Sequence, residues 1–102
     1  MKLTVLERLY LPTILPAKGK YIEVLQVQQI KQAIEFTTDE IEYYNLRDTD
    51  RGVSFDRQKI DEKDFQLSLS QLKIIQDTLD NLSERGEFTE DLIPLYQRLN
   101  SM

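Results

Sequence analysis

Cysteine and histidine are both absent from the 102 residues of this chain. Without cysteine there is no disulfide, thiolate nucleophile, Cys-ligated zinc or iron–sulfur cluster, and without histidine imidazole catalysis and most transition-metal sites are excluded too. These absences argue against most enzyme classes. Long apolar runs are missing as well: nothing approaches the roughly 18 residues that cross a bilayer, and Glu7 and Arg8 interrupt the N-terminal apolar stretch before a signal-peptide core forms. The expected setting is the cytoplasm, with no membrane association, and the missing cysteines agree with a reducing compartment.

What is present is globular in composition. The chain is 40% apolar and 30% charged, which supports a folded core rather than disorder. Its length fits one domain, residues 1–102, with a radius of gyration near ~13 Å. The net charge of −5 is unevenly spread: residues 1–34 carry +3, residues 35–64 carry −5 and residues 65–102 carry −3. The middle of the chain is therefore the acidic part.

Capping signals place the helices. Thr4 and Glu7 form a Ser/Thr-x-x-Glu capping box ahead of an apolar stripe that includes Val5, Leu9 and Ile14. Pro12 lies inside that helix, so a kink or an early stop near Leu11 is expected. Pro16 to Lys20 reads as a loop. From Tyr21 onward Ile22, Val24 and Val27 could begin a strand, but the three-four spacing of Ile22, Leu25, Gln29, Ile30 and Ala33 favours a helix to Ile34. Thr37 with Glu40 makes a second capping box, with Phe36 and Ile41 at the positions of a hydrophobic staple, and a third helix is expected over residues 38–46. Gly52 to Asp56 and Asp64 to Ser68 alternate apolar with polar residues, which predicts two antiparallel strands joined by a charged loop, Arg57 to Lys63. Ser68 and Gln71 form a third capping box, opening a helix whose stripe of Leu72, Ile75, Leu79 and Leu82 ends at Gly86. A last helix starts near Thr89–Asp91, the later start being favoured by Pro94. The predicted core comprises Phe36, Ile41, Leu72, Ile75, Leu79, Leu82 and Phe88. The fold class is α+β and mainly helical: three helices, a short antiparallel β-hairpin and two helices, a winged-helix-like element order.

Residues 35–44 and 87–96 share a Glu-Phe-Thr-x-Asp opening after an amphipathic helix. Convergence on one good corner is the simpler account, because the preceding helices match only loosely. The segments Leu6-Glu7-Arg8-Leu9, Ile14-Leu15-Pro16-Ala17-Lys18-Gly19 and Ile30 to Ile41 resemble a recurrent opening of small bacteriophage and prophage proteins of unknown function. The resemblance covers about the first half of the chain. It implies an origin in a mobile element and a life inside a bacterium, and it carries no catalytic or binding residue.

Candidate chemistry is sparse. Asp48-Thr49-Asp50-Arg51-Gly52 begins like a calcium loop, but glycine stands where a third Asp or Asn ligand belongs and no ligand glutamate closes the loop. Asp61 and Asp64 could divide acid and base roles only if one were desolvated, which an exposed hairpin loop does not provide. No catalytic, cofactor or metal-binding residue is expected, and no enzyme activity. Tyr43 and Tyr44 point about 100° apart on a helix, so one is expected inside and the other free to anchor an interface. The predicted function is a small acidic interaction module that binds a basic partner protein or a second copy of itself, through Asp39, Glu40, Glu42, Tyr43 and Tyr44. The alternative is a winged-helix regulator. Acidic residues in its recognition position oppose phosphate binding, and Lys18, Lys20 and Lys31 are the one basic face it could use.

Overall fold

The computed structural model describes residues 1–59 and 61–101. Its elements run β1 (Lys2–Thr4), α1 (Val5–Ile14), α2 (Tyr21–Ala33), α3 (Thr38–Tyr43), β2 (Arg47–Thr49), β3 (Gly52–Ser54), β4 (Glu62–Asp64) and α4 (Leu69–Glu84), then a 3₁₀ turn at Glu90–Leu92 and α5 (Ile93–Asn100). The class is α+β and mainly helical, with three helices before the β2–β3 hairpin and two after it. The radius of gyration is 13.9 Å.

All three capping boxes form. Thr4, Thr37 and Ser68 each accept the N–H of the residue three further on, and Glu7, Glu40 and Gln71 each accept the cap residue's own N–H. Replacing Thr37 by alanine removes the acceptor held 3.1 Å from the Glu40 N–H. Loss of such a cap costs about 0.5–2 kcal/mol, and glycine costs less than alanine. Urea titration of the two variants checks this, and equal losses would count against capping.

Two helix ends share a Schellman closure. In α4 the Glu87 N–H reaches the Leu82 carbonyl at 2.8 Å and Gly86 carries φ +70°. In α3 the Leu46 N–H reaches the Ile41 carbonyl at 2.9 Å and Asn45 takes the left-handed conformation at φ +54°. That closure ends α3 at Tyr43, three residues before the expected Leu46. At the other helix with a boundary in doubt, Pro12 does not stop α1, which continues to Ile14. Leu11 and Leu15 are buried in the core there, and the Leu15 N–H still bonds the Leu11 carbonyl at 3.1 Å.

The strands depart furthest from expectation. The hairpin forms at β2–β3 with Thr49 paired to Gly52 around Asp50 and Arg51, so the calcium-like segment is its turn. A two-residue connection costs less closure entropy than the expected seven-residue loop, Arg57 to Lys63. β4 pairs instead with β1, antiparallel, with Leu3 opposite Lys63. The chain then delivers Phe65 into the core, its N–H bonded to the Met1 carbonyl at 2.8 Å.

Helices α2 and α4 pack antiparallel, with Gln71 near the start of α4 donating to Gln29 near the end of α2. Between them and α1, Leu11, Ile30, Ile75, Leu79, Leu92 and Leu95 are fully buried. Ile75, Leu79 and Leu82 lie in the core as expected, Leu72 and Phe88 are half-buried at its edge, and Phe36 is half-buried against Arg8 outside it. Ile41 is the correction, at 43% exposed. Glu40 and Tyr44, four residues apart, take the inward side of the six-residue α3 and leave Ile41 on its flank.

Candidate functional site

The acidic middle of the chain is organised around α3, and a buried arginine sets how α3 sits. Arg8 is only 2% exposed. Its Nε donates to the Ile34 carbonyl at 3.1 Å and its Nη2 to the Glu35 carbonyl at 3.0 Å, so it closes the C-terminal end of α2. The same guanidinium grips the Glu40 carboxylate, with Nη1 to Oε2 at 2.7 Å and Nη2 to Oε1 at 3.0 Å. Its cationic carbon lies 3.9 Å from the Phe36 ring centroid and 5.0 Å from that of Phe65. One side chain therefore fixes the corner between α2 and α3 through hydrogen bonds, an ion pair and two aromatic faces.

A parallel arrangement holds α1. Arg98 of α5 donates to both carboxylate oxygens of Glu7 at 2.9 Å and also to the Lys2 carbonyl. Glu7 and Glu40 are both the third residues of their helices and close their capping boxes, and each receives an arginine from another element.

Of the five residues assigned to partner binding, three face outward. Asp39 and Glu42 sit three apart on the outer side of α3, and neither forms an ion pair among the described residues. Tyr43 is 52% exposed, with the Lys59 ammonium 4.1 Å from its ring centroid. Glu40 and Tyr44 serve the interior instead. Glu40 is held by Arg8 and lies 3.6 Å from Lys63. Tyr44 is buried edge-on between Tyr43 and Phe36, and burial raises its phenol pKa. Sequence spacing missed Arg8, because the residues it joins lie 26 to 32 positions away.

The other candidates do not assemble. Asp61 and Asp64 are both exposed, and Asp64 accepts from the Met1 ammonium at 2.7 Å. Lys18 and Lys20 precede α2 whereas Lys31 lies near its far end, which separates Lys20 from Lys31 by about 16 Å along the axis.

The Arg8 hydrogen bonds lower the Glu40 pKa from 4.5 to about 2. A carboxyl whose folded pKa is depressed stabilises the fold when it is ionised in both states, so its contribution is complete above about pH 4.5. That contribution is lost as pH falls through about 2. Urea midpoints measured across this window should fall with acidification, and Glu40→Gln should be less stable at neutral pH and show a shallower dependence. An identical pH slope in the variant would remove Glu40 from the account.

No protein-family model matches this chain, and no curated protein or solved structure shows significant similarity to it.

Proposed function

We propose that this chain is a small acidic protein–protein interaction module, cytoplasmic and of phage or prophage origin, whose outer α3 face binds a basic partner protein. The observation that supports this reading is the unneutralised charge of the middle segment. Ten acidic and five basic residues lie in positions 35–64. Glu40 and Asp64 are the two of those ten acids with ion-pair partners among the described residues, which leaves eight without one. Three of the basic residues lie against aromatic rings, Arg57 over Phe55, Lys59 over Tyr43 and Lys63 over Phe65. Such a field speeds encounter with a positive surface and repels phosphate backbones. Tyr43 adds a large amphipathic contact beside the carboxylates. No catalytic step and no cofactor enter this reading.

The test uses Asp39→Lys with Glu42→Lys, leaving Glu40 in place because it holds the α2–α3 corner. Each chain is immobilised and challenged with host extract at low and high salt, and captured proteins are identified by mass spectrometry. The reading requires a basic protein retained by the parent and lost by the double variant, with the difference shrinking at high salt. The winged-helix alternative rests on element order alone. It takes over if the parent binds duplex DNA with an affinity that falls steeply with salt.

A further inference from the structure

Away from the acidic side of α3, three clefts meet. One of about 370 Å³ runs between the outer side of α1 and the hairpin, lined by Leu6, Leu9, Val53 and Phe55 among others. A second of about 300 Å³, between the hairpin and α3, is lined by Phe36, Ile41 and Leu46 and shares Val53 with the first. A third of about 370 Å³ lies between α1 and α2 and shares Leu9 with the first and Phe36 with the second. Leu9, Phe36 and Val53 thus connect the clefts into one apolar face on the side of α1 that does not enter the core. Val53 is 46% exposed and Ile41 43%. The apolar residues here are contiguous across the three clefts rather than scattered singly.

The charges around this face differ from those of the rest of the chain. Its rim holds Lys31, Arg47 and Arg57 against Glu35 and Asp48, a net +1, while the Arg8 beneath it is neutralised by Glu40. Removing those five leaves ten basic and sixteen acidic residues elsewhere, a net −6. Two copies approaching through most other surfaces would bring like charge together. In a two-fold contact each patch meets itself, so a rim of both signs can set its basic residues against the acidic residues of its own copy. A uniformly basic partner would find no such match here. We propose that a second copy of this chain docks on the face formed by α1, Phe36 and the β2–β3 hairpin, giving a two-fold dimer.

The proposal is independent of the basic-partner reading and is tested on the full chain by sedimentation velocity from micromolar to near-millimolar concentration. The mass should rise from 12.1 kDa towards twice that value. Val53→Asp, which places a charge at the junction of two clefts, should raise the dimer dissociation constant by at least about tenfold, equivalent to about 1.4 kcal/mol. Circular dichroism confirms that the variant is folded; if it is not, Thr13→Glu at the exposed edge of the first cleft replaces it with the same expectation. Asp39→Lys with Glu42→Lys should leave the dimer intact. A parent chain that stays at the single-chain mass throughout overturns the proposal, as does a dimer that persists unchanged in a folded Val53→Asp or Thr13→Glu chain.

Discussion

Replacing Arg8 by alanine is expected to be the most damaging single substitution away from the apolar core. Removing one partner of a buried ion pair costs about 3–5 kcal/mol, because the remaining charge is left uncompensated. Here the groups that lose a partner are the carbonyls of Ile34 and Glu35 and the part-buried Glu40 carboxylate, which keeps only the Thr37 N–H and Lys63 at 3.6 Å, so the lower end of that range is expected. A domain with a total stability of roughly 5–15 kcal/mol would be brought close to unfolding by that loss. Arg8→Lys should recover only part of it, since an ammonium cannot reproduce the planar fork that reaches two carbonyls and a carboxylate together. Urea denaturation of both variants, with Arg8→Ala also combined with Glu40→Ala, measures the effect. The double variant should lose less than the sum of the single losses, because both single variants break the same Arg8–Glu40 contact. Additive losses would mean that Arg8 acts through the Ile34 and Glu35 carbonyls and the Phe36 and Phe65 rings and not through Glu40.

Leu79→Ala is expected to have the second large effect. Leu79 is wholly buried in the α4 stripe beside Ile75 and Leu82. Truncation removes apolar contacts and leaves a cavity that the surrounding structure fills only in part, at a cost of about 2–5 kcal/mol. Each kcal/mol lowers the melting temperature of a domain of this size by roughly 4–8 °C. A thermal transition unchanged by the substitution would show that α4 does not form the centre of the core. The exposed Leu69, at 86%, is the natural control on the same helix, and its truncation should be close to neutral.

The features legible in the sequence are those decided within a few residues. The boxes at Thr4, Thr37 and Ser68 close across three positions, and the stripe of α4 repeats within its own sixteen residues. The β1–β4 pair was not legible. It joins residues about sixty positions apart, and Lys2–Thr4 is too short to alternate recognisably. The candidate face on α3 was legible in part for a related reason. A six-residue helix with acids and aromatics on every side has no period that tells inside from outside. Arg8 settles the orientation by drawing Glu40 inward, and Tyr44 follows because it stands four residues later on the same side. The rim charges that distinguish the dimerisation face come from α2, the α2–α3 corner, β2 and the segment after β3, so no linear window displays them together.

The adjacency of Glu7 and Arg8 also bears on how the domain opens. Glu7 is tied to α5 through Arg98 and Arg8 to the α2–α3 corner, so α1 cannot peel away without exposing both bonds together with buried Leu11 and Leu15. Opening α1 is then expected to be nearly as costly as unfolding the whole, and hydrogen exchange should show its amides among the slowest in the chain. The β2–β3 hairpin is exposed at every strand position and can fray separately. The chain is accordingly expected to open as one large cooperative unit, α1 with the elements tied to it, and one small unit, the hairpin.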